Sequence, residues 1–271
     1  MKKLLFLLFL FPLTSLAQVT DDFSDGDFAH NPAWTGDTLQ FQISNYSSSS
    51  WSVKPRLQLD GSLADTSSLS VASSMANLAN KEWDFWVRLA FNTSKLNNCR
   101  VYLVSDIPNL ESNLNGYFVQ FGDDNNDQWD SISFYRQNGT TIQKIIAAHN
   151  CFTGASSSYR IKAEHDNAGN WRLYADATGG NNLVLVGSGF DVGINTSAYF
   201  GVFCKYTSTN KTNFYFDDIY AGPIIVDTIA PEVTSVKAVS GNDIELRFSE
   251  AVEEGTAENI SNFVIAGIGN P

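Results

Sequence analysis

Six residues have the types needed to hold a sugar. Trp86, Tyr102 and Tyr135 fall out of phase with the most apolar side of their segments, and Arg88, Arg100 and Gln120 lie near them in sequence. Aromatic faces stack on the C–H face of a sugar ring, while guanidinium and amide groups hydrogen-bond its hydroxyls. The same six positions also suit packing, because a central strand of a layered sheet is covered on both faces. A second group is acidic. Asp22, Asp25 and Asp27 cluster with Asp21 near the N-terminus, and Asp217-Asp218 lies near residue 220. Carboxylates are hard oxygen ligands, so this set reads as a structural Ca²⁺ site if the first and last strands pair. The competing reading is that these aspartates cap turns. Asp123-Asp-Asn-Asn-Asp127 is a third acidic run. It departs from a calcium-binding EF-hand loop, with Gln128 where glycine is required and Phe134 at the twelfth position, and reads as a solvated loop.

Catalytic sets are missing from the sequence. His30, His149 and His165 stand alone, without a Gly-x-Ser-x-Gly elbow or a His-Glu-x-x-His pair. Glu164-His-Asp166 is the nearest approach to a carboxylate pair, but Asp166 opens a turn. The chain reads as a binding protein rather than an enzyme.

The elements that must position these residues are strands. Apolar residues alternate along Trp83, Phe85, Val87, Leu89 and Phe91, the period of a half-buried strand. Further strand-like runs are 100–105, 116–121, 131–136, 140–146, 159–164, 170–175, 183–186, 198–206 and 213–220. Asn138-Gly139 and Asp166-Asn-Ala-Gly169 each predict a hairpin, since such turns need residues tolerant of positive φ. The polar segment 207–212 predicts a third. Residues 64–81 are Ser-rich and read as irregular, with at most one helical turn. About a dozen strands with Gly, Asn and Asp turns predict an all-β, two-sheet sandwich or jelly roll over residues 18–222.

Composition agrees. The 271 residues carry 17 Lys+Arg against 29 Asp+Glu, a formal charge of −12. That balance excludes non-specific nucleic-acid binding, which needs cations to neutralise phosphates. Aromatic residues make up 13% of the chain, enough for a substantial core, and exclude wholesale disorder. Met1-Lys-Lys, the apolar run 4–13 and the small residues Ser15 and Ala17 form a secretory signal, with cleavage expected after Ala17. The apolar run is too short to span a bilayer, so a secreted or cell-surface protein is expected. Cys99, Cys151 and Cys204 form no metal motif, and export permits either a disulfide or free thiols. Residues 223–231, with Pro223 and Pro231 at their ends, read as a linker. Residues 232–271 hold two or three strands, too few for a sandwich core, and predict an incomplete second domain.

The opening Asp21-Asp-Phe-Ser-Asp-Gly-Asp-Phe28 with Asn31-Pro-Ala-Trp34, and the later blocks Leu114-Asn-Gly-Tyr-Phe-Val-Gln120, Gly169-Asn-Trp171, Tyr199-Phe-Gly-Val202 and Phe216-Asp-Asp-Ile219, resemble concanavalin A-like (laminin-G-like) sandwich domains of secreted Bacteroidetes proteins. The resemblance spans about residues 20–222. Asp227-Thr-Ile-Ala-Pro231 with Leu246-Arg-Phe-Ser-Glu-Ala-Val252 is similar to bacterial Ig-like domains of the S-layer-associated type. Glucanases of this sandwich type carry a Glu-x-Asp-x-x-Glu motif, which the chain lacks. The resemblance therefore implies a non-catalytic binding or adhesion module with a polysaccharide or surface glycan as partner. The alternatives it leaves open are a structural spacer and an accessory region of a longer hydrolase or nuclease.

Overall fold

The computed structural model describes residues 18–46, 54–122, 131–152, 154, 156–226, 228–241, 243–250, 252, 254–264 and 269. The signal segment, Trp51 and the acidic run 123–127 lie outside the described residues. The chain divides into two compact units, residues 1–224 and 225–271. In the first, the early strands are β1 (Val19–Asp21), β2 (Trp34–Gly36), β3 (Phe41–Tyr46), β4 (Lys54–Leu59), β5 (Asp65–Met75), β6 (Lys81–Leu89) and β7 (Asn98–Ser105). There follow β8 (Leu114–Phe121), β9 (Ser131–Gly139), β10 (Thr141–Phe152), β11 (Ser157–His165), β12 (Asn170–Asp176), β13 (Val184–Phe190), β14 (Ser197–Tyr206) and β15 (Phe214–Pro223).

These strands build two antiparallel sheets. One runs β13-β12-β11-β6-β15-β4-β3, with β1 also paired to β15; the other runs β10-β9-β8-β7-β14-β5-β2. The alternation seen in the sequence decides which side of each strand faces the core. Trp83, Phe85, Val87 and Leu89 of β6 point inward against Val101, Tyr117, Val119, Phe121, Phe200 and Val202 of the second sheet. Each such side chain, taken fully out of water, contributes about 1.5–3 kcal/mol. Trp171 sits among Trp83, Tyr117, Phe134 and His165, with ring centroids 4.6–5.3 Å away.

The two expected hairpins form. Asn138 pairs with Thr141 across a turn in which Gly139 has φ +59°, and Gly169, at φ +93°, turns β11 into β12. Two expectations fail and one strand runs longer than read. Residues 207–212 do not make a hairpin: β14 and β15 belong to different sheets, and the segment carries the chain across the sandwich. Residues 65–75 are not irregular but form the eleven-residue strand β5, with Leu69, Val71 and Met75 in the core. Its serines were misleading because four of them, Ser67, Ser68, Ser70 and Ser73, are buried in the strand instead of marking a loop. Leu183–Val186, read as a short strand, extends to Phe190 in β13, where Gly187 and Gly189 let β10 approach.

Cys99 and Cys204 lie directly opposite each other on β7 and β14, both buried and both free thiols. The second unit contains the antiparallel pair β16 (Val233–Ala238) and β17 (Ile244–Phe248), a four-residue helix at Glu254–Ala257 and one 3-10 turn. Val233, Val236 and Ile244 are exposed there.

Candidate functional site

The six candidate sugar-binding residues are divided between the outer faces of the two sheets. Arg100 and Tyr102 of β7, Gln120 of β8 and Tyr135 of β9 share the outward face of the seven-stranded sheet. The register sets them in two rows: Arg100 is opposite Gln120, and Phe118 lies between Tyr102 and Tyr135. Tyr135 stacks on Phe118 with centroids 5.2 Å apart and planes 15° off parallel. The Arg100 guanidinium lies 4.8 Å from the Phe118 ring and 5.6 Å from Phe203, and the Lys144 ammonium lies 5.4 Å from Tyr135. Two cations thus flank a stacked ring pair, each cation–ring contact favoured by the ring quadrupole.

Within this array the four residues differ in accessibility. Arg100 and Tyr135 are half-buried, so they are the two that a ligand can reach. Tyr102 is 1% exposed and donates to the Gln137 side chain at 2.7 Å; burial raises the pKa of its hydroxyl, the charge of Arg100 opposing. Gln120 is also buried. It accepts from Arg100 Nε at 3.0 Å and donates to the Gly122 carbonyl, which fixes the guanidinium over the rings. Tyr102 and Gln120 are therefore occupied within the sheet, and Gln120 orients Arg100. Phe118, Phe203 and Lys144 complete the array and were not singled out in the sequence. The signal for them was register: once β8 is paired with β7 and β9, Phe118 must face Tyr102 and Tyr135.

Trp86 and Arg88 lie on the opposite side of the molecule, on the outer face of the eight-stranded sheet. Trp86 is 4% exposed, in register with Arg160 on β11 and Asp217 on β15. The Arg56 guanidinium sits 4.5 Å from its ring. Trp86 is thus enclosed by charged neighbours and offers no open face. Arg88 donates to the Ser156 carbonyl and to the Ser156 and Ser158 hydroxyls, tying β6 to the start of β11.

The acidic set meets a similar fate. β1 does pair with β15, bringing the two aspartate groups to one sheet. Asp217, fully buried, accepts from Arg56 Nε at 3.0 Å and Lys54 Nζ at 2.8 Å. Burial pushes its carboxyl up to about 6, although the hydrogen bond and charge of Lys54 oppose the rise. Asp218 accepts from Lys54 at 2.6 Å and Arg160 at 2.9 Å, and Arg160 also pairs with Asp84. Asp22, Asp25 and Asp27 hold the backbone N–H groups of Ser24, Asp27 and Ala29 in successive turns. Among the described residues no three acidic, His or Cys side chains converge on one ion position. The five aspartates therefore do not fit a calcium ion as a set: lysine and arginine neutralise two, and chain geometry spreads the other three. The sequence could not show Lys54 and Arg56, which lie some 160 residues from Asp217.

Fold and faces together define a concanavalin A-like two-sheet sandwich. Solved structures of the same fold include carbohydrate recognition domains. The Emp47p carbohydrate recognition domain superposes with a TM-score of 0.55 at 14% identity, over 78% of this chain and 97% of that one. The metal-free Emp46p carbohydrate recognition domain gives 0.50 at 12%, over 79% and 96%. The VIP36 exoplasmic/lumenal domain in its Ca²⁺/Man3GlcNAc-bound form gives 0.49 at 13%, over 79% and 90%. At these identities the likeness shows the shared sandwich fold. No protein-family model and no curated protein sequence matches the chain. No helix among the described residues is long and apolar enough to cross a membrane.

Proposed function

We propose that the first unit is a non-catalytic carbohydrate-binding module. Its glycan lies across the outer face of the seven-stranded sheet, with Arg100 and Tyr135 in contact and Gln120 orienting Arg100. The observation that carries the reading is the ordered array of Lys144, Tyr135, Phe118, Arg100 and Phe203 on one outward face of a lectin-type sandwich. Stacking surfaces and guanidinium donors at fixed positions suit a repeating polymer, so polysaccharide is the proposed ligand class. The charged start and short apolar run at 1–13 support export to the cell surface or medium. The Pro-flanked segment at 223–231 and the strand pair after it support a modular protein in which an Ig-like unit follows the sandwich.

A polysaccharide array probed with the full chain and with Arg100→Ala tests the main reading. Binding by the parent and loss of at least about tenfold in the variant, the loss of one charge-assisted contact, support it. Absence of binding to every polysaccharide, with and without calcium, leaves a structural spacer as the reading.

A further inference from the structure

On the far side of the molecule, a cavity of about 380 Å³ opens where β1 meets β15, beside the loop between β12 and β13. We propose that it is a second saccharide site, taking one neutral, pyranose-sized unit. It is lined by Thr20, Asp22, Arg160, Asn181, Asp218 and Tyr220. Its size falls within the range of small-ligand pockets.

The lining selects the ligand by what it rejects. Asp21, Asp22 and Asp218 stand against Arg160, and Lys54 rests on Asp218, so the lining is mildly acidic. A bare cation finds both oxygens of Asp218 already held, one by Lys54 and one by Arg160. An anion meets three carboxylates. An apolar ligand would strip water from polar groups without replacing their hydrogen bonds. A sugar ring satisfies all of these demands. Its hydroxyls both donate and accept, matching the Asn181 amide, the Asp22 carboxylate and the Thr20 hydroxyl. Its C–H face matches the half-buried ring of Tyr220.

The site is also held rigid before any ligand arrives. β15 bulges between Asp217 and Tyr220, and Asp218 there has φ +50°, which turns its carboxylate toward the cavity mouth. Bulges re-aim side chains in this way beside functional sites. Arg160 is fixed from the other side by Asp84. The Tyr220 hydroxyl donates to the Pro223 carbonyl at 2.6 Å, which fixes the ring. Pre-set donors and acceptors lower the ordering cost of binding. This cavity lies on the eight-stranded sheet, whereas the proposed platform lies on the seven-stranded one. The module would therefore hold two saccharide sites facing opposite ways, able to bridge two chains of glycan.

The test is ligand-observed saturation-transfer NMR on the full chain, with the methyl glycosides of mannose, glucose and galactose as separate probes. Three proteins are compared: the parent, Asn181→Ala and Tyr135→Ala. Asn181 is an exposed loop residue, so its truncation leaves the fold intact. The expected result is binding of at least one glycoside by the parent and by Tyr135→Ala, weakened about tenfold in Asn181→Ala by loss of its hydrogen bonds. No transfer from any glycoside at tens of millimolar overturns the proposal. So does equal binding by the parent and Asn181→Ala, as does binding lost in Tyr135→Ala but kept in Asn181→Ala. Polysaccharide retention by the same three proteins reports on the platform separately, so either site can fail alone.

Discussion

The two outer faces of this sandwich cover their central strands in different ways. On the eight-stranded sheet, charges do it: Asp84, Arg160, Asp218, Lys54, Asp217 and Arg56 form a chain of ion pairs around Trp86. On the seven-stranded sheet, rings do it, with cations lying over them. The first arrangement uses up its polar groups on one another, leaving ligand chemistry only at its margin. The second leaves ring edges and a guanidinium half-exposed. Residue type alone does not separate a binding face from a structural one, since both carry Arg and aromatic residues; what separates them is whether their partners are internal.

The comparison breaks most readily at Asp217. Asp217→Ala removes a carboxylate partner of two cations, and breaking a buried pair costs about 3–5 kcal/mol. Arg56, one of the two, is 3% exposed and lies 4.5 Å from the Trp86 ring. Thermal or denaturant unfolding should show that loss. A change below about 1 kcal/mol, the range of exposed pairs, would mean that the eight-stranded face is not locked by its charges. Trp86→Ala follows closely. Burial predicts a loss of about 3–5 kcal/mol by cavity formation, with polysaccharide binding by the folded fraction unchanged. Loss of binding without loss of stability would return Trp86 to the status of a platform and reverse the assignment of faces.

Much of the fold was legible in the sequence, and less of the site. The β6 alternation and the Asn138-Gly139 and Gly169 turns are local signals, and they read correctly. Sheet membership is not local. β6 joins β11 and β15, whereas β7 joins β14 and β8. Alternation placed Trp86 and Tyr102 both outward but could not say that outward meant opposite sides of the molecule. The same limit hid the crossing at 207–212, which has the polar composition of a hairpin turn. Asp217 and Asp218 looked like ligands because their neutralising partners come from β4 and β11. The serines of β5 concealed a strand because cover for that face comes from distant segments, such as Leu110 packed near Gly201.

A third contrast lies between two aspartates that cap turns. Asp166, partly covered at its turn, is held down to about 2 by the amide and backbone N–H of Asn170. Asp21 is buried, and burial pushes it up to about 6 although Trp34 Nε1 and the Phe23 N–H both donate to it. Its folded-state value lies above the unfolded one, so the folded state binds this proton more tightly. Asp21 therefore favours folding below about pH 4, and that contribution fades as the pH rises through 6. The difference is at most about 2–3 kcal/mol from a shift of about two units. Asp21→Asn keeps an acceptor and removes the titration. The stability of the parent relative to Asp21→Asn should fall between pH 4 and 6.5; a constant difference would place the ionised Asp21 in a better-solvated environment than the fold gives it.

The smallest change in stability belongs to Tyr135, and it bears most directly on which face binds. The ring is half-buried and loses one stacked partner on truncation, worth about 0.5–1.5 kcal/mol beyond area. Lys144 loses only a weak contact at an exposed site. Tyr135→Ala should therefore melt within a few degrees of the parent. On the seven-stranded face, though, this ring is one of two candidate residues that a glycan can reach, and such anchors carry a disproportionate share of binding energy. A loss of about tenfold or more in polysaccharide retention is expected, set against the small thermal shift. Tyr135→Phe, which keeps the ring and removes only the hydroxyl, should retain most of the affinity if stacking is what matters. If Tyr135→Ala binds like the parent, the aromatic face is packing after all, and both sheets are covered for the same structural reason.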